Sequence, residues 1–359
     1  MADGGGSQAM GGGGDDAPIH PSQRDTMSAA AAGTSPAAPA AGATTDASPA
    51  PPNWADDRTP LGRLITGVLA VDPLRRLLFL QARRMMIRTA EQRGIPWRAR
   101  REQLRRQAEP LLAASTNPAT VVPAYYRARF HAYDLGNLCW DAACEAEQAT
   151  ASVALRVWKH EALSPEAAEA RMRDAIFAAI APSLEGPVHD ALDLGCSVGI
   201  STQLLKSWLE AREGHSVRVS GLDLSPQMLA VARVRDPEGR IEAWHHAAAE
   251  ATGLPAAGFD LITLQFLCHE LPADATRAVL AEAARLLRPG GVLAMVDQDP
   301  QSPTIRSMPA PLATLLKSTE PYLADYFALD MEAALREAGF EAIRRVASDH
   351  RHRVLVARR

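Results

Sequence analysis

The spacing of apolar side chains divides the chain into stretches of different character. Residues 1–57 are mostly Gly, Ala, Pro, Ser, Thr and Asp, offer little to fill a core, and read as a disordered tail. Over residues 61–112 apolar groups such as Leu64-Ile65, Val68-Leu69 and Leu77-Leu78 alternate with Arg75-Arg76, Arg83-Arg84, Arg100-Arg101 and Arg105-Arg106. That spacing predicts amphipathic helices interrupted near Pro73 and Pro96. Residues 113–163 are rich in rings: Tyr125, Tyr126, Phe130, Tyr133, Trp140 and Trp158. A helix is then expected from Ser164, which suits an N-cap, with Pro165 at the first helical position and Met172, Ile176 and Ile180 on one face.

After Gly186 short apolar runs alternate with helical periodicity. Strands are expected at 191–194, 217–224, 241–246, 259–266, 291–297, 342–348 and 352–357. Helices are expected at 201–212, after Ser225-Pro226, at 274–287 and at 330–338, the last closed by Gly339. This alternation predicts a doubly wound, mainly parallel α/β sheet of seven strands, with a final hairpin placing the last strand antiparallel at or near an edge. The expected organisation is a tail at 1–57, a helical Arg-rich and aromatic lid region at 58–185, and the sheet domain at 186–359.

Composition narrows the compartment and partners. The 359 residues carry a formal net charge of −4, which gives no general attraction to nucleic acid, and no DNA partner is expected. The arginines of 61–112 leave three readings open: the solvated face of ordinary helices, peripheral contact with an anionic membrane surface, or contact with an acidic partner or nucleic acid. No apolar run has the roughly 18–20 residues of a membrane-spanning helix. Four cysteines without a CxxC pair argue against zinc and disulfides, so reduced thiols in an intracellular compartment are expected, and no metal. The tail holds one arginine, Arg24, and several aspartates, which favours a cytoplasmic location over a plastid or mitochondrial address.

The chemistry is expected where the first strand runs into Asp193-Leu-Gly195-Cys-Ser-Val-Gly199. A tight glycine turn at the C-terminal end of a strand, feeding a helix, is where open α/β sheets bind ligands, although a purely structural turn has the same signature. The spacing is not the GxGxxG of a dinucleotide site, and Asp193 suits a cationic ligand better than a pyrophosphate. Asp223 closes the second strand, where an acid can accept both hydroxyls of a ribose; the alternative is a turn aspartate, but Ser225 already fits the helix cap.

These motifs, with Gly221-Leu-Asp223-Leu-Ser-Pro-Gln-Met-Leu, Phe259-Asp260 and Leu286-Leu-Arg-Pro289-Gly290-Gly291, resemble the class I methyltransferases, most closely their type 11 branch acting on small molecules. The resemblance implies a Rossmann-like fold and S-adenosylmethionine as cofactor. It implies that Gly195 and Gly199, with Cys196 and Ser197 between them, pass the methionine part and that Asp223 holds the ribose. The implied contact set also includes Asp193, Leu224, Met228, Gln265 and Phe266. This chain has Ala247-Ala248-Ala249-Glu250 where the family commonly has an aspartate for the adenine amino group. Backbone groups of Ala248 and Ala249, or the Glu250 carboxylate, are therefore expected to serve.

Residues just past strand four face the transferable methyl in that family. Gln265 is a candidate for orienting substrate or cofactor, and His269 is a candidate general base, with a packing or capping histidine as the alternative. Asp297, Gln298 and Asp299 are candidate acceptor contacts after strand five. Tyr126, Phe130 and Tyr133 are expected either to face the acceptor from the lid or only to seal it. Neither an Asn/Asp-Pro-Pro-Tyr motif nor a Pro-Cys nucleophile is present, which disfavours DNA-base methylation. The expected activity is in-line methyl transfer to a small molecule without a metal. A non-catalytic cofactor-binding module and a protein or RNA methyltransferase are the alternatives.

Overall fold

The computed structural model describes residue 67 and residues 71–359 other than 129, 131, 132 and 134. The tail expected at 1–57 lies outside the described residues, as do most of residues 58–70. Seven strands form one sheet: β1 (Asp190–Leu194), β2 (Arg218–Asp223), β3 (Ala243–His246), β4 (Phe259–Gln265), β5 (Leu287–Gln298), β6 (Glu341–Ala347) and β7 (His352–Arg358). Their order is β3-β2-β1-β4-β5-β7-β6. The first five are parallel, and β7 runs antiparallel between β5 and β6. β1 is buried along its whole length, as expected for a central strand covered on both faces. The final hairpin is present, with the penultimate strand rather than the last at the edge.

The register carries the chemistry. Asp193 lies level with Gly221 on β2 and Thr263 on β4, and Asp223 level with His246 on β3. β5 begins four residues before the expected start, because Leu287 already pairs with Phe259 ahead of a register shift. The Gly290 amide then donates to the Arg359 carbonyl at 2.9 Å.

The region before the sheet is helical as expected: α1 (Asp72–Gln92), α2 (Trp97–Ala108), α3 (Trp140–Val157) and α4 (Pro165–Ile180). The Ser164 side chain accepts from the Ala167 amide, the cap read from the sequence. Within the sheet domain follow α5 (Ile200–Glu213), α6 (Pro226–Arg235), α7 (Ala273–Leu286), and α8 (Pro303–Arg306), α9 (Ala310–Thr319), α10 (Leu323–Ala328) and α11 (Met331–Glu337). Leu104 and Ala108 of α2 share a core with Ala142, Ala143 and Cys144 of α3 and with Met228 and Val231 of α6.

Several of the arginines read as a surface feature bind acids of the same chain. The buried Glu145 carboxylate takes Arg83, Arg101 at 3.1 Å and the Tyr133 hydroxyl at 2.7 Å. Glu147 takes Arg100 at 3.1 Å and Arg235. Such pairs fasten helices together, which a solvated face does not do. On α1, Leu77, Leu80 and Met85 are exposed. No helix among the described residues is long and apolar enough to cross a membrane.

Candidate cofactor and acceptor site

The turn after β1 is built on left-handed backbone. Gly195 and Gly199 have φ of +74° and +75°. A Cβ on Gly195 would meet the Leu267 side chain at 2.9 Å, and one on Gly199 would meet the Trp244 ring at 2.4 Å. The amides of Gly195 and Cys196 both donate to the Leu222 carbonyl, at 2.8 and 2.9 Å, so the turn is stitched to β2. Ser197 stands where glycine is usual and keeps φ of +49°. A non-glycine residue there costs about 1–3 kcal/mol. The Ser197 amide reaches Asp223 Oδ2 at 2.8 Å and its hydroxyl reaches Met228 Sδ at 3.3 Å, which helps to hold it.

Asp193 is fully buried and accepts three hydroxyls: Ser201 at 2.6 Å, Thr202 at 2.8 Å and Thr263 at 2.7 Å. Burial pushes its pKa up, against the pull of those hydrogen bonds. The direct contact with a cationic ligand expected for Asp193 is therefore corrected. A buried carboxylate needs donors, and its donors are the first turn of α5 and the neighbouring strand, so Asp193 sets the turn from behind.

Asp223 is the acid facing the edge. Its Oδ2 accepts from Ser197 and its Oδ1 from the Ser225 amide at 2.8 Å. Each oxygen retains acceptor capacity for a further donor. Burial raises its pKa to about 6, the two amides pulling down and Glu270 and Asp193 pushing up. Beyond it, Leu224 and Ala248 form a buried cluster with Tyr126 and Phe130, against which Tyr125 and Tyr322 pack. The Tyr125 hydroxyl donates to Glu250 at 2.5 Å, and Ala248 bridges to Ala251. The segment is pinned further along. The Asn117 amide donates to His246 Nδ1 at 2.9 Å, and the Thr120 hydroxyl to the His246 carbonyl at 2.6 Å. Tyr126 and Phe130 thus lie beside Leu224, whereas the Tyr133 hydroxyl is engaged by Glu145 and its ring by Arg83, 5.7 Å from the centroid. An acceptor role for Tyr133 is not what its partners serve.

At the end of β4, Gln265 accepts through Oε1 from the buried Arg173 of α4. Arg173 Nε and Gln265 Nε2 are buried without a hydrogen-bond partner. Phe266 has φ of +60° and sets its ring edge-on to His352 at 5.2 Å. The 3₁₀ turn Cys268–Glu270 then brings His269 onto β5. His269 Nδ1 lies 2.8 Å from Asp297 Oδ1, and the His269 amide donates to Asp297 Oδ2 at 3.1 Å. Burial pulls the imidazole down, but Asp297, then Glu320 and Glu270, hold it up at about 9.

Asp297 has no exposed surface and also takes the Gln298 amide at 2.8 Å. Its expected acceptor contact becomes a positioning role behind His269. The Gln298 carbonyl accepts the Tyr326 hydroxyl at 2.7 Å, and Asp299 caps the following turn through the Gln301 amide at 2.9 Å.

The residues missed from the sequence are Arg173, Asn137 and Glu270. Asn137 donates to Glu270 Oε2 at 2.7 Å and reaches the Tyr126 hydroxyl at 3.4 Å. Ligand atoms of His269, Glu270 and Glu320 lie within 4.8 Å of one another. Glu320 follows α9, fifty positions along the chain from Glu270, and only the fold brings it to the other two.

Residues 191–291 match the family model for a methyltransferase domain. The chain is 40% identical over 138 residues to trans-aconitate 2-methyltransferase of Azoarcus sp., covering 36% of this chain and 50% of that protein. It is 36% identical over 102 residues to ubiquinone biosynthesis O-methyltransferase of Aromatoleum aromaticum, covering 28% and 40%. The matches span half or less of these relatives' length. A solved structure, the CurJ carbon methyltransferase, is similar with a TM-score of 0.47 at 14% identity, covering 77% of this chain and 70% of that one. Residues 191–291 thus carry a methyltransferase domain of the class I, S-adenosylmethionine-dependent kind.

Proposed function

We propose that the protein transfers a methyl group from S-adenosylmethionine to an oxygen of a small-molecule acceptor by in-line displacement. The observation that carries this reading is Asp223 beside the glycine turn, its two oxygens oriented by backbone amides and each able to accept a further hydroxyl, as from a ribose. In this reading Gly195, Cys196, Ser197 and Gly199 line the methionine end with Gln265 and Phe266. Met228 flanks the turn, and Leu224, Ala248, Ala249 and Glu250 border the adenine. When bound, the cofactor supplies an electrophilic methyl on a sulfonium. The chain's own work is orientation and exclusion of water. His269, held through Nδ1 by Asp297, offers Nε2 to the acceptor oxygen, with Gln298 and Asp299 at the rim. Tyr126 and Phe130 close the adenine side. An oxygen acceptor is favoured because relatives similar to this chain are named as a trans-aconitate 2-methyltransferase, a ubiquinone biosynthesis O-methyltransferase and a malonyl-[acyl-carrier protein] O-methyltransferase.

The test is incubation of purified protein with methyl-labelled cofactor and size-fractionated cell extract. Label entering small metabolites, and lost in Asp223→Ala, supports the reading. Label confined to protein or RNA, or entering no fraction, overturns it.

A further inference from the structure

We propose that the outward face of α1 (Asp72–Gln92) docks the protein onto an anionic lipid surface. Residues 73–90 hold five arginines and no acid. The helix is tethered by its inner side. Ile87 and Ala90 are buried in a core shared with Ala154 of α3 and Met172 of α4, and Arg83 binds Glu145. On the other side Leu77, Leu80 and Met85 are 54%, 48% and 67% exposed. Gln81, Arg84 and Arg88 are exposed among them. At about 100° per residue these six side chains fall within roughly 140° of the helix circumference, so they make one face.

Two features of that face indicate what covers it. The first is charge. Among the described residues no acid pairs with Arg84 or Arg88, and Glu91, which follows them in the chain, is taken by Arg98 at 2.6 Å. Arg84 and Arg88, one turn apart, also line one surface hollow with Gln81 and Met85. A pair of free guanidinium groups there is complementary to the phosphate and carboxylate groups of anionic lipid. The second feature is the apolar side chains between the cations. They gain nothing from a nucleic-acid backbone. At a membrane they enter the boundary between headgroups and acyl chains, while the arginine stems lie along them and keep their charge at the headgroups. A second copy of the chain is disfavoured, because a two-fold contact through this face would set Arg84 and Arg88 against the same cations. The helix lies along the surface in this arrangement, as suits a chain in which no described helix is long and apolar enough to cross it. Docking of this kind does not depend on the methyl-transfer reading.

The experiment sediments the full chain with vesicles of phosphatidylcholine alone and of equal parts phosphatidylcholine and phosphatidylserine. The expected result is partition about tenfold or more tighter onto the anionic vesicles, lost as salt is raised. Arg84→Glu with Arg88→Glu is expected to weaken it by about tenfold or more, and so is Leu80→Asp with Met85→Asp, each at the wild-type thermal unfolding midpoint. Should either pair unfold the protein, Arg84→Gln with Arg88→Gln and Leu80→Ser with Met85→Ser repeat the test. Absence of a preference for the anionic vesicles overturns the proposal, as does unchanged partition in the folded variants. Retention on polyglutamate without vesicle binding also overturns it and assigns the face to an acidic polypeptide. So does a dimer in sedimentation velocity that the apolar variants disperse, where vesicles are not bound.

Discussion

Asp223 has an ionisation that works in opposite directions on folding and on ligand binding. Its folded pKa is raised to about 6, so between the ordinary carboxylate range and that value the folded chain holds a proton that the unfolded chain has lost. Its contribution to stability therefore falls as pH rises through that window and is constant above it. Ribose hydroxyls, by contrast, are best accepted by the ionised form. Cofactor affinity is thus predicted to rise through a midpoint near 6 in calorimetric titrations, and Asp223→Asn to flatten that profile. Asp223→Ala is expected to weaken cofactor binding more than about tenfold, or 1.4 kcal/mol, in a folded protein. Gly199→Ala is expected to lower stability by about 1–3 kcal/mol, read from denaturant unfolding, because its new methyl would meet Trp244. Asp223 and the glycines were legible because strand ends and turns are written locally. The use of Asp193 was not, since one of its three donors, Thr263, lies seventy positions away.

Helices and strands of the sheet domain were legible wherever a period repeated. α8, α9 and α10 were not, because short helices in an insertion give too few turns to show one. Nor did the sequence reveal what α3 does with the arginines. Glu145 has no exposed surface and holds Arg83, Arg101 and the Tyr133 hydroxyl, joining α1, α2 and the aromatic segment at one carboxylate. Glu145→Ala would leave these donors without their acceptor, and about 3–5 kcal/mol of stability should be lost in denaturant titration. The turn after β4 makes a contrasting prediction. Asp297→Asn removes the charge and one of the two acceptor oxygens that hold His269 while keeping the shape of the side chain. It should lower kcat by at least tenfold and leave cofactor affinity within about twofold. Equal losses in both would place Asp297 in cofactor binding.

At the scale of the molecule, the candidate site is assembled from distant parts of the chain. Tyr125, before the sheet domain, meets Tyr322 of the insertion, whose hydroxyl donates to the Tyr125 carbonyl at 3.0 Å. The seven strands and their alternation were readable from the apolar pattern, but that pattern is silent on which hairpin strand lies inside. The sheet order answers it, with a consequence for how the protein folds. β6 precedes β7 in the chain, yet its ladder is made with β7 and β7's other ladder with β5. Arriving first, β6 has no strand beside which to settle, and it must wait for the residues that follow it. Pulse-labelled amide exchange during refolding should therefore find β6 amides protected no earlier than those of β7. Substitutions that weaken the β5–β7 ladder should delay both strands while leaving the acquisition of protection in β1, β2 and β4 on its original time course.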